Sequence, residues 1–351
     1  GQHLLGGLGG GHEGLGVAHI AHALGAAHGN GLEVLAAHDG AHARAASRAV
    51  QVVHHGGIEH AVFTGFADAK QMLDSGLLDL VVISTPPNSH FHWAKESLER
   101  NINVVLEKPM ALNTTECDQL MALAKEKNLL LVVYQNRRYD SDFLTIKKAL
   151  ADGVIGELFH YEVFVGGYGK PCSFWHSDKL ISGGAIFDWG SHFIDQIMSL
   201  IPGEIDHITG LNQKRHWHHI TNADHAQVVI TYKDGKQAIF INSDLAAARK
   251  PKYLLLGTTG SITGEWDSAA GGAPADLPAI IKLHSPDQSV QVLPALTPTP
   301  YAFHQSVADY LISGKEMSVK TGQSRDVVAI MMAAEQSALL NAAPVKAALL
   351  K

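Results

Sequence analysis

Two cysteines in 351 residues exclude a disulfide framework, and Cys117 and Cys172 have no metal-ligand spacing. Charged residues make up only 17% of the chain, the formal charge is -7, and no basic run occurs. A nucleic-acid surface or an anionic membrane patch needs clustered Lys and Arg, so neither partner is expected. No apolar run approaches the roughly 20 residues that span a bilayer, and no signal-peptide pattern opens the chain. These absences predict a cytoplasmic globular protein, long enough for two domains of ordinary size.

A further absence is local. Residues 1–60 contain no Phe, Tyr, Trp, Met, Pro, Lys or Thr, yet they hold ten of the 22 histidines: His3, His12, His19, His22, His28, His38, His42, His54, His55 and His60. Metal storage would call for dense His tracts or His/Cys pairs. These histidines follow no repeated ligand spacing, so no metal is expected, and the stretch is read for its backbone features.

What is present is an alternation. Gln2 to Leu8 reads as a strand, Val17 to Leu24 as a helix, Gly31 to Asp39 as a strand, and Ala41 to Val52 as a helix. Ala67 to Leu73 is a short helix, Asp79 to Ser84 a strand with the run Leu-Val-Val-Ile, and Phe91 to Arg100 a helix. The strand Val104 to Leu106 runs into Glu107-Lys108-Pro109; Thr114 opens another helix, and Leu129 to Tyr134 is one more strand. Such spacing predicts βαβ units in a parallel sheet, with the ligand site off the carboxyl ends of the strands. The residues at those ends are Gly9, Asp39, Thr85, Lys108 and Gln135.

From about Leu158 the texture changes. Phe159–Val165, Ile205–Leu211, Ala226–Tyr232, Gln237–Asn242, Tyr253–Leu256, Ser261–Glu265 and Ile280–Leu283 read as strands without helical crossovers. That predicts an antiparallel or mixed sheet. Tyr301–Ser313 and Ser324–Leu340 read as closing helices, and the Gly/Ala/Pro-rich Ala269–Pro278 as a surface loop. The expected division is residues 1–135 as a Rossmann domain and 136–351 as a substrate and oligomerisation domain, with the alternative that the C-terminal helices pack back on the first domain.

The glycine cluster admits two registers. Gly9-Gly10-Gly11-His12-Glu13-Gly14 fits G-x-G-x-x-G by itself; alternatively Gly7-Leu8-Gly9 makes the turn and Gly16 packs the helix. In either, Gly7, Gly9, Gly11, Gly14 and Gly16 let backbone N–H groups approach a pyrophosphate at a helix start. Asp39 would accept hydrogen bonds from ribose hydroxyls and repel a phosphate, which favours NAD over NADP; Arg44 and Arg48 weaken that preference. Thr85-Pro86-Pro87-Asn88-Ser89-His90 offers polar groups for a ribose or nicotinamide pocket, or an ordinary capped turn. Lys108 at a strand mouth needs partners or a task, because burying a cation is costly; a Glu107 salt bridge is the structural alternative.

Asp188 and His192, in Gly183-Gly184-Ala185-Ile186-Phe187-Asp188-Trp189-Gly190-Ser191-His192, are four apart and share a helix face. The pair suits a base oriented by a carboxylate, or a purely structural contact. Zinc would need a third protein ligand, and none stands out. His216-Trp217-His218-His219 has no partner spacing and reads as an exposed loop.

With these pieces together the chain resembles the Gfo/Idh/MocA family, which includes glucose–fructose oxidoreductase and inositol dehydrogenases. The resemblance rests on the Gly-rich opening, Glu107-Lys108-Pro109, the Gly183–His192 stretch and the two-domain order. It implies a Rossmann domain followed by an α/β domain with a large open, mainly antiparallel sheet that supports a homodimer or homotetramer. It implies a catalytic Lys108, a cis bond to Pro109, and partners at Asp188 and His192. By the same analogy Thr85, Pro86, Asn88, His90, Glu107, Lys108, Pro109 and Gln135 border the cofactor. Arg137, Arg138, Tyr139, Trp175 and His176 join Lys108, Asp188 and His192 around a sugar or polyol. Two departures stand out: the glycine loop is longer than the common form, and His176 follows the tryptophan where many relatives have arginine.

The expected chemistry is reversible oxidation of a secondary alcohol. His192, of a residue type whose reference pKa is about 6.5, takes the hydroxyl proton. Asp188 orients it, and Lys108 stabilises the charge that develops on the oxygen. A non-catalytic dinucleotide sensor of the same fold and a zinc hydrolase are the rival readings.

Overall fold

The computed structural model describes residues 33–38, 47–55, 58–66, 68–266 and 278–350. The glycine cluster, Asp39, the first expected strand and helix, and most of the 269–278 loop lie outside the described residues. The chain divides into two compact units, one of residues 1–134 with 299–324, the other of 135–298 with 325–351.

The first unit is built on a six-stranded sheet of β1 (Glu33–His38), β2 (Ser47–His55), β3 (Ile58–Phe66), β4 (Leu80–Ser84), β5 (Asn103–Leu106) and β6 (Leu131–Val133), in the order β3-β2-β1-β4-β5-β6. The last four in that order are mutually parallel, so β1, β4, β5 and β6 deliver their carboxyl ends to one edge. Leu80, Val81, Ile83, Val104, Val105, Leu106, Val132 and Val133 are buried, as continuous apolar runs in a two-face-covered sheet should be. Between the strands come α1 (Ala69–Leu73), α2 (His90–Glu99) and α3 (Thr114–Lys127). The side chain of Asn113 caps α3 by accepting from Glu116 N at 2.9 Å, and Asn128 ends it at φ 54°.

The helix expected over 41–52 is not found where the structure describes that segment. Residues 47–55 are a strand, paired antiparallel with both β1 and β3. Alanine and arginine suggested a helix, but Val50, Val52 and Val53 are β-branched and stiff, and a nine-residue partner strand follows. The first sheet is therefore mixed rather than wholly parallel.

The second unit carries an eight-stranded sheet of β7 (Leu158–Gly166), β8 (Ile205–Gln213), β9 (His225–Tyr232), β10 (Gln237–Ser243), β11 (Tyr253–Gly257), β12 (Ser261–Glu265), β13 (Ile280–His284) and β14 (Val290–Val292), ordered β14-β13-β12-β11-β7-β10-β9-β8. Every neighbouring pair is antiparallel except β7 and β10. Along β9 burial alternates, with Ala226, Val228, Ile230 and Tyr232 inward, which is the period-two signature of a one-sided core. The helices that follow the first unit's are α4 (Ser141–Ala151), α5 (Lys179–Ser182), α6 (Ala185–Leu200), α7 (Ala302–Ser313) and α8 (Thr321–Leu339); α7 belongs to the first unit.

α6 lays its apolar face on this sheet. Phe193 stacks on Phe240 at 6.2 Å between centroids and meets Tyr253 edge-on at 6.3 Å. β8 approaches α8 so closely that a Cβ on Gly210 would lie 2.0 Å from Ala334 O, while Gly210 N donates to Ser337 Oγ at 2.9 Å. Only glycine fits there.

Candidate active site

In the first unit the turns after β4 and β5 gather the expected cofactor residues. Thr85 is buried, and Ser89 Oγ donates to Thr85 Oγ1 at 2.6 Å and to Pro86 O at 2.8 Å, within the 3-10 turn Pro87–Ser89, where Asn88 is exposed. Glu107 N donates to Ile83 O at 2.9 Å, the last rung of the ladder before Lys108. Lys108 and Pro109 are joined by a cis peptide, as the resemblance implied. Lys108 is half-buried and its N–H donates to Glu107 Oε2 at 3.2 Å. His90 is among the residues expected to border the cofactor. It is completely buried, with Nδ1 2.8 Å from Pro109 O and Nε2 2.8 Å from Thr85 O.

In the second unit Asp188 lies in the first turn of α6, and His192 one turn on is 6% exposed. The helix begins at Gly184, whose φ of 112° no other residue adopts readily. The Trp189 ring lies 5.9 Å from the His192 ring, with the Arg137 guanidinium 5.4 Å above it. Arg137 also donates to Asp140 Oδ2 at 3.2 Å.

Arg138, expected at the substrate, makes a two-pronged contact with buried Asp195, Nε to Oδ2 and Nη2 to Oδ1, both 2.6 Å. That geometry fixes the 136–139 turn to α6 and spends a fork of its donors inside the unit. Gln196 Nε2 adds a bond to Arg137 O at 2.8 Å. Gln135 is 2% exposed, and its Oε1 accepts no hydrogen bond among the described residues. Tyr139 is half-buried beside it in the chain. Trp175 and His176 stack at 3.6 Å, and Asn222 Nδ2 ties the His176 carbonyl at 2.7 Å.

Two acidic groups of the second unit escaped the sequence reading. Asp224 is buried; Oδ2 accepts from the N–H groups of Arg215, His216 and Trp217 at 2.6, 2.6 and 3.2 Å, and Oδ1 from Lys214 Nζ at 2.9 Å. Burial raises its pKa, but these donors outweigh it and hold the carboxyl well below the usual range. The His216–His219 segment is thus a carboxylate-organised turn with three exposed histidines, and no metal-sized group of ligands occurs among the described residues. Asp244, just past β10, has its pKa raised to about 6 by burial and by the charges of Asp224 and Asp188. A lone Asp after a strand carries no sequence signal for this; the neighbours are 20 and 56 residues away.

Asp188 and His192 thus lie one turn apart on α6, a carboxylate and an imidazole on one helix face, and Lys108 stands at a strand end. Such groups can exchange protons with a hydroxyl and stabilise an alkoxide. No described helix is long and apolar enough to cross a membrane.

Comparison with known proteins places these features. Residues 13–135 match the family model described as "Oxidoreductase family, NAD-binding Rossmann fold", and residues 143–263 match the GFO/IDH/MocA C-terminal domain. The scyllo-inositol 2-dehydrogenase (NADP(+)) IolW of Bacillus subtilis is 27% identical over 288 residues, 77% of this chain and 79% of that protein. The oxidoreductase YhhX of Escherichia coli is 36% identical over 202 residues, and there the match spans 58% of this chain and little more than half, 56%, of the relative. A solved NAD-binding protein from Listeria innocua superposes with a TM-score of 0.70 at 27% identity, over 80% of this chain and 82% of that one.

Proposed function

The chain belongs to the Gfo/Idh/MocA family of NAD(P)-binding oxidoreductases, and from that premise we propose that it transfers hydride between a secondary alcohol of a sugar, inositol or related polyol and a nicotinamide. The observation that carries this reading is Lys108, a half-buried lysine at the carboxyl edge of the parallel strands, where ligands of such sheets bind. The names of IolW and of the myo-inositol 2-dehydrogenase of Thermotoga maritima, 24% identical over 51% of this chain and 53% of that one, support the substrate class.

The residues present fit a dinucleotide. The aligned ends of β1, β4, β5 and β6 form its usual edge, and the buried Gln135 Oε1 accepts no hydrogen bond among the described residues. The Gly7–Gly16 loop, Asp39, Thr85, Pro86, Asn88, Glu107, Pro109 and Gln135 would hold it, and when bound it supplies the hydride acceptor. Asp39 favours NAD, although IolW carries NADP(+) in its name.

The chain's own residues handle the proton and the charge. His192 takes the hydroxyl proton, Asp188 orients the imidazole, and Lys108 hydrogen-bonds the reacting oxygen as negative charge grows on it. Tyr139, Trp175 and His176 contribute to sugar recognition.

The test is NADH formation by purified protein with NAD across sugars, inositols and sugar acids, with NADP in parallel. Turnover with one class supports the reading, and Lys108→Met should then lower kcat by about 100-fold or more while NADH still binds. NADH binding with no turnover on any member of the panel would replace the enzyme with a dinucleotide sensor.

A further inference from the structure

His90 lies buried between two turns at the carboxyl edge of the first sheet. Its ring bridges the turn after β4 and the turn after β5, with 2.8 Å to Thr85 O on one side and 2.8 Å to Pro109 O on the other. It has no exposed surface, so the ring cannot exchange either partner for water. Past Glu107 N the backbone leaves the ladder, and Pro109 brings no N–H of its own. A carbonyl is what Pro109 can offer, and the His90 ring meets it.

Neither carbonyl has a proton to give. Each contact therefore needs an N–H from the ring, which the imidazolium supplies twice and the neutral ring once. Burial first, and then the charge of Lys108, hold the His90 pKa below the ordinary histidine range, while both carbonyls oppose that shift. The neutral ring thus has one donor bond to commit, and where it goes decides what the histidine holds.

We propose that His90 is the positioning residue for Lys108: by donating to Pro109 O it fixes the Lys108–Pro109 segment against the end of β4 and sets where the lysine amine stands. This rests on the reading of Lys108 as the group that meets the reacting oxygen. A misplacement of about 1 Å at such a group costs on the order of 100-fold in rate, so a small loosening is measurable.

Two amide variants separate the possibilities, because asparagine reaches toward the Nδ1 partner and glutamine toward the Nε2 partner. His90→Asn keeps a donor for Pro109 O; His90→Gln keeps one for Thr85 O. Both are compared with the parent for kcat, for KM of the dinucleotide, for thermal midpoint, and for the rate at which Lys108 takes up an amine-reactive label, read by mass spectrometry.

The expected result is kcat within about threefold of the parent for His90→Asn and about tenfold lower or more for His90→Gln, with KM for the dinucleotide unchanged and Lys108 labelling altered only in His90→Gln. Equal kcat in both variants, or a loss confined to His90→Asn, overturns the proposal. So does a drop in both that tracks the thermal midpoint and leaves Lys108 labelling unchanged, since that describes a merely structural histidine. If the parent turns over nothing, the functional reading fails by itself, and Lys108 labelling in the two variants still decides whether His90 positions the lysine.

Discussion

Lys252 and Asp142 form an ion pair of 2.7 Å with both side chains at or below 1% exposure, and Asp142 Oδ2 also accepts from Ala279 N at 2.8 Å. The ammonium lies 5.3 Å from the Tyr253 ring and 6.0 Å from that of Phe193, inside the core of the second unit. Desolvation offsets most of the attraction in such a pair, so its removal in halves is what costs most. Lys252→Met alone is expected to destabilise the protein by about 3–5 kcal/mol, because it strands a buried carboxylate. Adding Asp142→Leu should recover part of that loss. Urea denaturation of the two single variants and the double variant measures the difference, and additive losses would contradict it.

Asp244 offers a pH test. Its folded pKa of about 6 stands above the usual carboxylate value, so between about 4 and 6 the folded state binds the proton that the unfolded state has released. Its contribution is favourable below that window and is lost as pH rises through 6, when the carboxylate ionises beside Asp224 and Asp188. Asp244→Asn should therefore be more stable than the parent at pH 8, with the gain shrinking toward pH 4. Thermal midpoints across that range would show it; a gain that grew in acid would refute it.

Asp188 and His192 should act as one device. If the carboxylate serves by orienting the imidazole, losing either disables the same step. Asp188→Asn and His192→Gln are each expected to lower kcat by about 100-fold or more, and the double variant to fall little further than the worse single one. Multiplying losses in steady-state kinetics would mean independent roles.

Asp39 should govern the choice of dinucleotide. Its replacement by serine removes a charge that repels a 2′-phosphate, so Asp39→Ser is expected to shift the ratio of kcat/KM for NAD over NADP toward NADP. An unchanged ratio would take the ribose contact away from this residue.

The elements that sequence reasoning located best have patterns complete within a few residues. The Leu-Val-Val-Ile run became β4, the alternation from Ala226 became β9, and Asp188 and His192 did share a helix face. What escaped depended on partners far along the chain. Lys252 gives no local sign that Asp142, 110 residues earlier, awaits it, and Asp195 carries no mark of Arg138. The three residues of β14 are too few for a period, and the 47–55 strand shows pairing to a neighbour overruling the helix preference of alanine and arginine. His90 was legible as polar and near a strand end, but not as a ring with both nitrogens turned inward.

Membership of the two units alternates along the chain, switching at 134/135, 298/299 and 324/325. No single cut therefore releases either unit whole. A fragment ending at Tyr134 would lack the Thr321 hydroxyl that donates to Leu131 O, and the Phe303 ring that packs 4.9 Å from Tyr134. During synthesis the first unit must wait for residues made more than 160 positions later, and the second for residues made later still. On the ribosome, then, the strands of the nucleotide-binding sheet emerge well before the residues that complete their unit, and an unfinished piece has to persist through the interval.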